Sequence, residues 1–396
     1  MGRRKRTTIS GNQVGKENVK ITNTLNHITT MQNYTADESR YTNGMQFRRC
    51  GKSGILLPSV SLGWWHNFGA ENDYDHCREI VRYAFDHGIT HMDLANNYGP
   101  PPGHAEEMMG RMMQDDLRPY RDELFIASKA GYVMWPGPYG NWGSRKSLMA
   151  SLDQSLKRMK LDYVDLFYTH RYDPETPLEE TLQALVDIVR QGKALYVGIS
   201  RWPLHALKVA IKYLNERDVP PLIYQGRLNM LDRTPLEEGI LEECYNNGLG
   251  FISFSPLAQG LLTDRYLQGS VPQNSRMSQG RFLKEEMLTP ELLAYLNEQN
   301  AIAQAKGQTL AEHALRWILE QKGVTSVLVG ASSVEQLKKN IKAGEADPPQ
   351  PVRASHWGVL PSRGTEAHSV LLLKTSLAPY GREWLQQLTP SPTFSP

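Results

Sequence analysis

Between residues 45 and 343, short apolar runs alternate with longer stretches whose apolar positions repeat every three or four residues. A strand buries alternate residues and a helix buries one stripe, so the runs read as strands and the stretches as helices. The strand candidates are residues 59–62, 90–93, 124–128, 164–169, 194–199, 222–225, 250–253 and 326–329. A hairpin over 45–57, turning at Gly51 and Gly54, precedes them. Two helical faces stand out: Leu148, Leu152, Leu156 and Met159, then Leu178, Leu182, Leu185, Val186 and Val189, the second stopping at Gly192. Thr176-Pro177-Leu178-Glu179, Thr309-Leu310-Ala311-Glu312 and Ser332-Ser333-Val334-Glu335 have the form of capping boxes at helix starts.

Eight strands each followed by a helix imply either a closed parallel barrel or a doubly wound sheet. No G-x-G-x-x-G follows any strand, which weighs against a dinucleotide fold of the second kind. Gly51-Lys52-Ser53 resembles the end of a phosphate-binding loop, but Gln46 stands where the motif needs its first glycine. The expected fold is therefore α/β, a (β/α)8 barrel with an N-terminal β-hairpin. It occupies residues 41–343, between a disordered polar tail over 1–40 and a mostly unstructured tail over 344–396 that holds eight prolines.

Composition changes this picture little. A net charge of +2 gives no global field that would draw the chain to nucleic acid. No apolar run is long enough to insert in a membrane. Cys50, Cys77 and Cys244 have neither disulfide-framework nor zinc spacing, which suits a reducing, cytoplasmic setting, and no metal site is expected. Residues 1–36 are basic at the start and contain only Glu17 as an acid, a composition that also fits a mitochondrial presequence.

In a (β/α)8 barrel the chemistry sits at the C-terminal ends of the strands. There the sequence places Asp93, Tyr98 just beyond it, Lys129 and His170. Taken singly these are a helix cap, a packing ring, a solvated charge and a satisfied polar residue. Together, on three successive strand ends, they can protonate a carbonyl oxygen. Tyr98 would be the acid, Lys129 would stabilise its phenolate, Asp93 would hold the ammonium and His170 would orient the substrate oxygen. A hydrolase or isomerase would need paired acids or a metal cluster, for which only Asp93 and Asp173 offer themselves; His87 and His91 straddle a loop and a strand.

At these positions the chain resembles the aldo-keto reductase superfamily, whose tetrad of Asp, Tyr, Lys and His falls on Asp93, Tyr98, Lys129 and His170. The likeness runs over about residues 45–343, through segments such as GITHMDLANNYGPPPGHAEEMMGRMM, LFIASKAGYVMWPGPYG and DYVDLFYTHRYDP. It is strongest toward the branch of glyceraldehyde-3-phosphate reductases and potassium-channel beta subunits. The resemblance implies a small carbonyl substrate, reduced with NADPH in preference to NADH, and a homo-oligomer; a channel-docking or redox-sensing subunit with little turnover is the alternative. It also implies a cofactor site. Trp65 borders it; Ser200, Arg201 and Gln225 hold the carboxamide, with Asn229 close by; Phe254 stacks on the nicotinamide ring. Ser255, Leu257, Gln259 and Gly260 follow the pyrophosphate, and Gly330, Ser332, Gln336 and Asn340 take the adenosine end. The chain departs from the reductase branch at Ser333, where relatives carry arginine, at Lys339 and at Thr263-Asp264-Arg265. It departs again after Ala343, where the proline-rich tail stands in place of a helical one that walls the substrate pocket.

Overall fold

A computed structural model describes residues 34–345, except 270, 272, 274–276 and 279–282. Residues 1–33 and 346–396, which hold most of both expected tails, lie outside the described residues. Of the chain's two compact units, residues 1–34 and 35–396, the second contains the barrel.

Two strands, β1 (Phe47–Arg49) and β2 (Leu56–Pro58), pair antiparallel as the expected hairpin. Eight parallel strands follow: β3 (Val60–Gly63), β4 (His91–Asp93), β5 (Phe125–Ala130), β6 (Val164–Thr169), β7 (Ala194–Ser200), β8 (Ile223–Arg227), β9 (Gly250–Phe254) and β10 (Val324–Val329). Neighbours in sequence are neighbours in space, and β10 closes on β3. Single helices follow the early strands: α1 (Tyr74–Asp86), α2 (His104–Met112), α3 (Arg145–Met159), α4 (Leu178–Arg190) and α5 (Leu204–Asn215). Two helices follow β8, α6 (Thr234–Glu237) and α7 (Ile240–Asn247); two follow β9, α8 (Pro290–Ala305) and α9 (Leu310–Leu319); α10 (Val334–Ile341) follows β10. The architecture is the (β/α)8 barrel.

The hairpin stoppers the barrel's N-terminal end. Cys50 and Leu57 belong to the same buried cluster as Ala127, Leu166, Tyr168, Ile223, Ile252 and Leu328 from five strands. Gly51 turns this hairpin in the left-handed region, at φ +57, and lies so close to Gly248 that a Cβ would meet its carbonyl oxygen at 2.0 Å. Only glycine meets both demands.

Local details differ from expectation. Residues 35–41, mostly assigned to the disordered tail, pack on the barrel. Glu38–Tyr41 forms a 3-10 turn; Arg40 and Tyr41 both donate to Glu123 Oε2, at 2.6 and 2.5 Å, and the Ala36 amide donates to the Tyr120 hydroxyl at 2.9 Å. Polar residues order here because one carboxylate satisfies two donors. The barrel unit also runs slightly past residue 343: Lys342–Gly344 turns once more and Glu345 bridges to Met45. Helix α4 begins at Leu178 with Pro177 as its cap, because the Thr176 hydroxyl donates to Asp173 Oδ2 at 2.6 Å rather than capping the helix. On α10 the cap is Ser333 and the box is shifted by one residue: the Ser333 hydroxyl accepts from the Gln336 amide at 3.2 Å, while the Gln336 side chain accepts from the Ser332 amide at 2.9 Å. Thr309 does cap α9, accepting from Glu312 at 3.1 Å.

Candidate active site

Strand alternation decides which side chains enter the barrel. On β6, Leu166 and Tyr168 lie in the interior cluster, so His170, two residues on, points the same way. Ala127 leads likewise to Lys129 on β5, Ile223 to Gln225 on β8 and Ile252 to Phe254 on β9. Glycine 198 on β7 faces inward too, since a Cβ there would meet the Tyr168 ring at 2.5 Å, and Ser200 follows it. The strands' parallel register therefore gathers these ends in one mouth.

At its centre is a buried ammonium. Lys129 has no solvent exposure, and its Nζ donates to Asp93 Oδ2 at 2.5 Å, to the Leu94 carbonyl at 2.7 Å and to the Tyr98 hydroxyl at 3.4 Å. Three partners use all three ammonium hydrogens. Asp93 Oδ1 accepts from Gln225 Nε2 at 2.9 Å, so the carboxylate is pinned from both sides. His170 joins by ring contact, edge-on to Tyr98 with centroids 5.6 Å apart.

Burial sets the protonation states. It lowers the Lys129 pKa from the usual lysine value, against the pull of Asp93. It raises the Tyr98 phenol well above its ordinary value, as does the Asp93 carboxylate, with Arg201 opposing. The sequence expectation of a phenol made more acidic by its ammonium neighbour does not hold in this arrangement, because burial first, and then the Asp93 carboxylate, disfavour the phenolate. Burial, together with Lys129, Arg201 and Arg171, drives His170 well below its usual range, so its imidazole is neutral at pH 7. Its Nδ1 has no hydrogen-bond partner among the described residues.

Some neighbours are not among the residues the sequence singled out. Behind Lys129, Ser128 donates to the buried Glu106 at 2.6 Å, and Arg158 donates to the same carboxylate at 2.8 Å, which fastens α2 and α3 to β5. Outside His170 stands Tyr132, edge-on at 4.7 Å, with Arg201 donating to its hydroxyl at 2.8 Å and Arg171 over its ring at 4.3 Å. Both Tyr132 and Arg171 lie just past strand ends, so the rule that found Lys129 and His170 would have reached them.

The residues expected at the cofactor are placed as follows. Ser200 Oγ and Asn340 Nδ2 are buried and without a partner among the described residues. Phe254 ends β9 partly buried, and the loop after it is contorted: Ser255, Ala258 and Gln259 all have positive φ, and Gly260 has φ +103. Non-glycine residues hold such angles at about 1–3 kcal/mol each, which marks a constrained loop. Leu257 accepts from the Gly260 amide at 2.8 Å, and Gln259 donates to Ser255 Oγ at 3.2 Å. Gly330 follows β10, where a Cβ would make only ordinary contacts. Trp65 follows β3, partly buried against His66. Three expected ligands are already engaged: Gln225 with Asp93, Gln336 with Ser332 and Arg201 with Tyr132; Asn229, expected close by, accepts from Leu231 and Asp232 and donates to the Ser255 carbonyl. Asp173, the other candidate acid, is a loop clamp. Burial pushes its carboxyl up, but donors from Thr176, Gly143 and Glu175 outweigh this and hold it low.

A parallel barrel with a buried Asp–Lys–Tyr cluster at its C-terminal mouth defines a class of barrel oxidoreductases. Residues 59–350 match the Aldo/keto reductase family, and the chain belongs to it. It is 54% identical over 314 residues to L-glyceraldehyde 3-phosphate reductase of Escherichia coli K12, covering 78% of this chain and 90% of that one. It is 34% identical to a probable voltage-gated potassium channel subunit beta of Arabidopsis thaliana, covering 77% and 92%. Among solved structures it resembles a thermostable aldo-keto reductase, Tm1743, in complex with the inhibitor epalrestat, with a TM-score of 0.58, 31% identity and coverage of 76% and 94%. The chain is an oxidoreductase of this family.

Proposed function

We propose that the chain reduces small aldehydes, glyceraldehyde 3-phosphate among them, with NADPH, and that Tyr98 delivers the proton. The observation that carries this is the buried ammonium of Lys129 shared among Asp93, the Leu94 carbonyl and the Tyr98 hydroxyl. The 54% identity to a protein named L-glyceraldehyde 3-phosphate reductase supports the substrate.

Two side chains could serve as the acid, and protonation separates them. His170 is neutral at pH 7 and has no proton to spare as imidazolium, whereas burial keeps the Tyr98 proton in place. As Tyr98 gives up that proton, its oxygen becomes an anion against an ammonium hydrogen already aimed at it. Gln225 and Asp93 keep the ammonium from drifting. The neutral His170 can hydrogen-bond the substrate oxygen and fix its position.

A bound nicotinamide coenzyme supplies the hydride, which no side chain can provide. The unpartnered Ser200 Oγ and Asn340 Nδ2 fit such a group, as does the contorted 255–260 loop, whose Gly260 has open space where a Cβ would stand. Ser200, Phe254 and that loop would hold it, with Gly330, Ser332 and Asn340 at its far end.

Tyr98→Phe tests the reading. Carbonyl reduction should fall by about 10²–10⁴-fold, the contribution of a general acid, while NADPH titrated by fluorescence binds as before. A Phe variant keeping more than roughly a third of wild-type kcat, far short of that loss, rules Tyr98 out as the acid. The 34% identity to a protein named as a channel beta subunit leaves a second reading, a subunit with negligible turnover, and the wild-type rate in the same assay decides against it or for it.

A further inference from the structure

Arg171 and Arg201 both contact Tyr132, which stands beside His170. Arg201 donates to the Tyr132 hydroxyl at 2.8 Å. Arg171 lies over the same ring at 4.3 Å and over Trp142 at 3.6 Å; its Nε donates to the Gly131 carbonyl at 2.8 Å and one terminal nitrogen to Asn141 at 2.9 Å. Neither guanidinium forms an ion pair with a carboxylate among the described residues. Asp173, whose charge acts on Arg171, is occupied by Gly143, Glu175 and Thr176. Two like charges held on one tyrosine raise each other's energy, and an anion between them would relieve it. Several other partly buried arginines are paired, Arg78 with Asp116, Arg121 with Asp165 and Arg158 with Glu106, although Arg48 rests on a carbonyl alone.

Ring contacts join this pair to the chemistry. Tyr132 is edge-on to His170 at 4.7 Å, and His170 is edge-on to Tyr98 at 5.6 Å. An aldehyde whose oxygen sits between Tyr98 and His170 points the rest of its chain past Tyr132.

We propose that Arg171 holds the phosphate of a short phosphorylated aldehyde, with Arg201, expected at the coenzyme's carboxamide, adding positive charge beside it. This rests on the reading of the site as an aldehyde reductase and adds which end of the substrate is recognised, and by what. The planar fork of a guanidinium grips phosphate oxygens in pairs. Arg171 is the better probe, because its carbonyl and aromatic contacts fix it while one terminal nitrogen has no partner among the described residues.

The experiment compares glyceraldehyde 3-phosphate with glyceraldehyde, which has the same carbonyl and no phosphate, on wild type, Arg171→Met and Arg171→Lys. In wild type the phosphorylated aldehyde should have the higher kcat/KM. Arg171→Met should lose about 10- to 100-fold on it, the value of a charged hydrogen bond, and keep its rate on glyceraldehyde. Arg171→Lys should fall between, since it restores charge without the fork. Parallel losses on both aldehydes would make Arg171 a packing residue, and an unchanged ratio would place the phosphate elsewhere; either overturns the subsite. Thermal stabilisation by glycerol 3-phosphate is measured on the same proteins. If wild type reduces neither aldehyde, the reductase reading fails on its own. The subsite then stands if glycerol 3-phosphate stabilises wild type and not Arg171→Met, and falls if it stabilises neither.

Discussion

At the scale of the residue, the sequence located the cluster because strand ends in a barrel converge, and alternation says which residues face in. The series Leu166, Tyr168, His170 and the pair Ala127, Lys129 are readable from spacing two alone. What spacing could not show is the electrostatic balance. Asp93 takes up the ammonium's charge, and the Tyr98 phenol ends up harder, not easier, to ionise. Nor could spacing show that the Gln225 amide bonds Asp93, because that contact joins residues on β4 and β8. Lys129→Met tests this balance. It removes the one ammonium facing the phenol and strands Asp93 without its ion partner, which costs about 3–5 kcal/mol for a buried pair. Adding Asp93→Asn should return part of that stability. In the reverse reaction, alcohol oxidation, the phenolate is the base, and losing Lys129 leaves it less stabilised. The rise of that rate with pH should therefore move to higher pH in Lys129→Met, and Asp93→Asn, which removes a charge that raises the phenol, should move it back. A Lys129→Met single variant with the wild-type profile would show that Lys129 acts only in packing.

At the scale of the element, the apolar stripes were sound guides and the caps were less so. Leu148, Leu152, Leu156 and Met159 are all buried on α3, and Gly192 ends α4 in the left-handed region at φ +70. The two misplaced caps share a cause: a hydroxyl near a helix start has several acceptors and donors in reach, and tertiary contacts choose among them. Thr176 goes to Asp173, and on α10 the choice falls on Ser333. That choice bears on cofactor preference. If the α10 start lies at the far end of the coenzyme, Ser333→Arg gives the 2′-phosphate of NADPH a guanidinium to bind, by about 1.5–3 kcal/mol, and leaves NADH nearly unchanged. It also removes the hydroxyl that caps the Gln336 amide, so the unliganded variant should lose about 0.5–2 kcal/mol of stability. Paired titrations with the two coenzymes, alongside melting of the free protein, separate the effects. Equal tightening of both coenzymes would move the 2′-phosphate away from this helix.

At the scale of the whole molecule, barrel closure was legible from eight strand–helix units in series. The ordering of residues 35–41 was not, since it depends on Glu123 arriving from beyond α2. Closure leaves polar groups inside the barrel, and they govern its response to acid. His91 is fully buried; its Nδ1 meets Ser61 at 2.9 Å, Ser61 meets Ser326 at 2.7 Å, and its Nε2 has no partner among the described residues. Burial lowers its pKa from 6.5 to about 4, Asp93 opposing and Lys129 assisting. Burial lowers His170 in the same direction, and His313 as well. As pH falls through 6.5 the unfolded chain takes up these protons while the folded chain resists, so stability present above that pH drains away toward about 4. The carboxylates with lowered pKa, Asp116 and Glu123 among them, join only below their ordinary 3.8 and 4.5, and Asp165, raised by burial, works the other way, so among the described residues the histidines carry the loss between 6.5 and 4.5. Over that window, at about 1.4 kcal/mol per pH unit, His91 should account for on the order of 2–3 kcal/mol. His91→Asn keeps a polar group and cannot titrate. It should start less stable than wild type at neutral pH through imperfect packing, yet lose less on acidification, so that the two denaturant-midpoint curves converge toward pH 4.5. Curves that stay parallel would show that the proton taken up on unfolding belongs to another group.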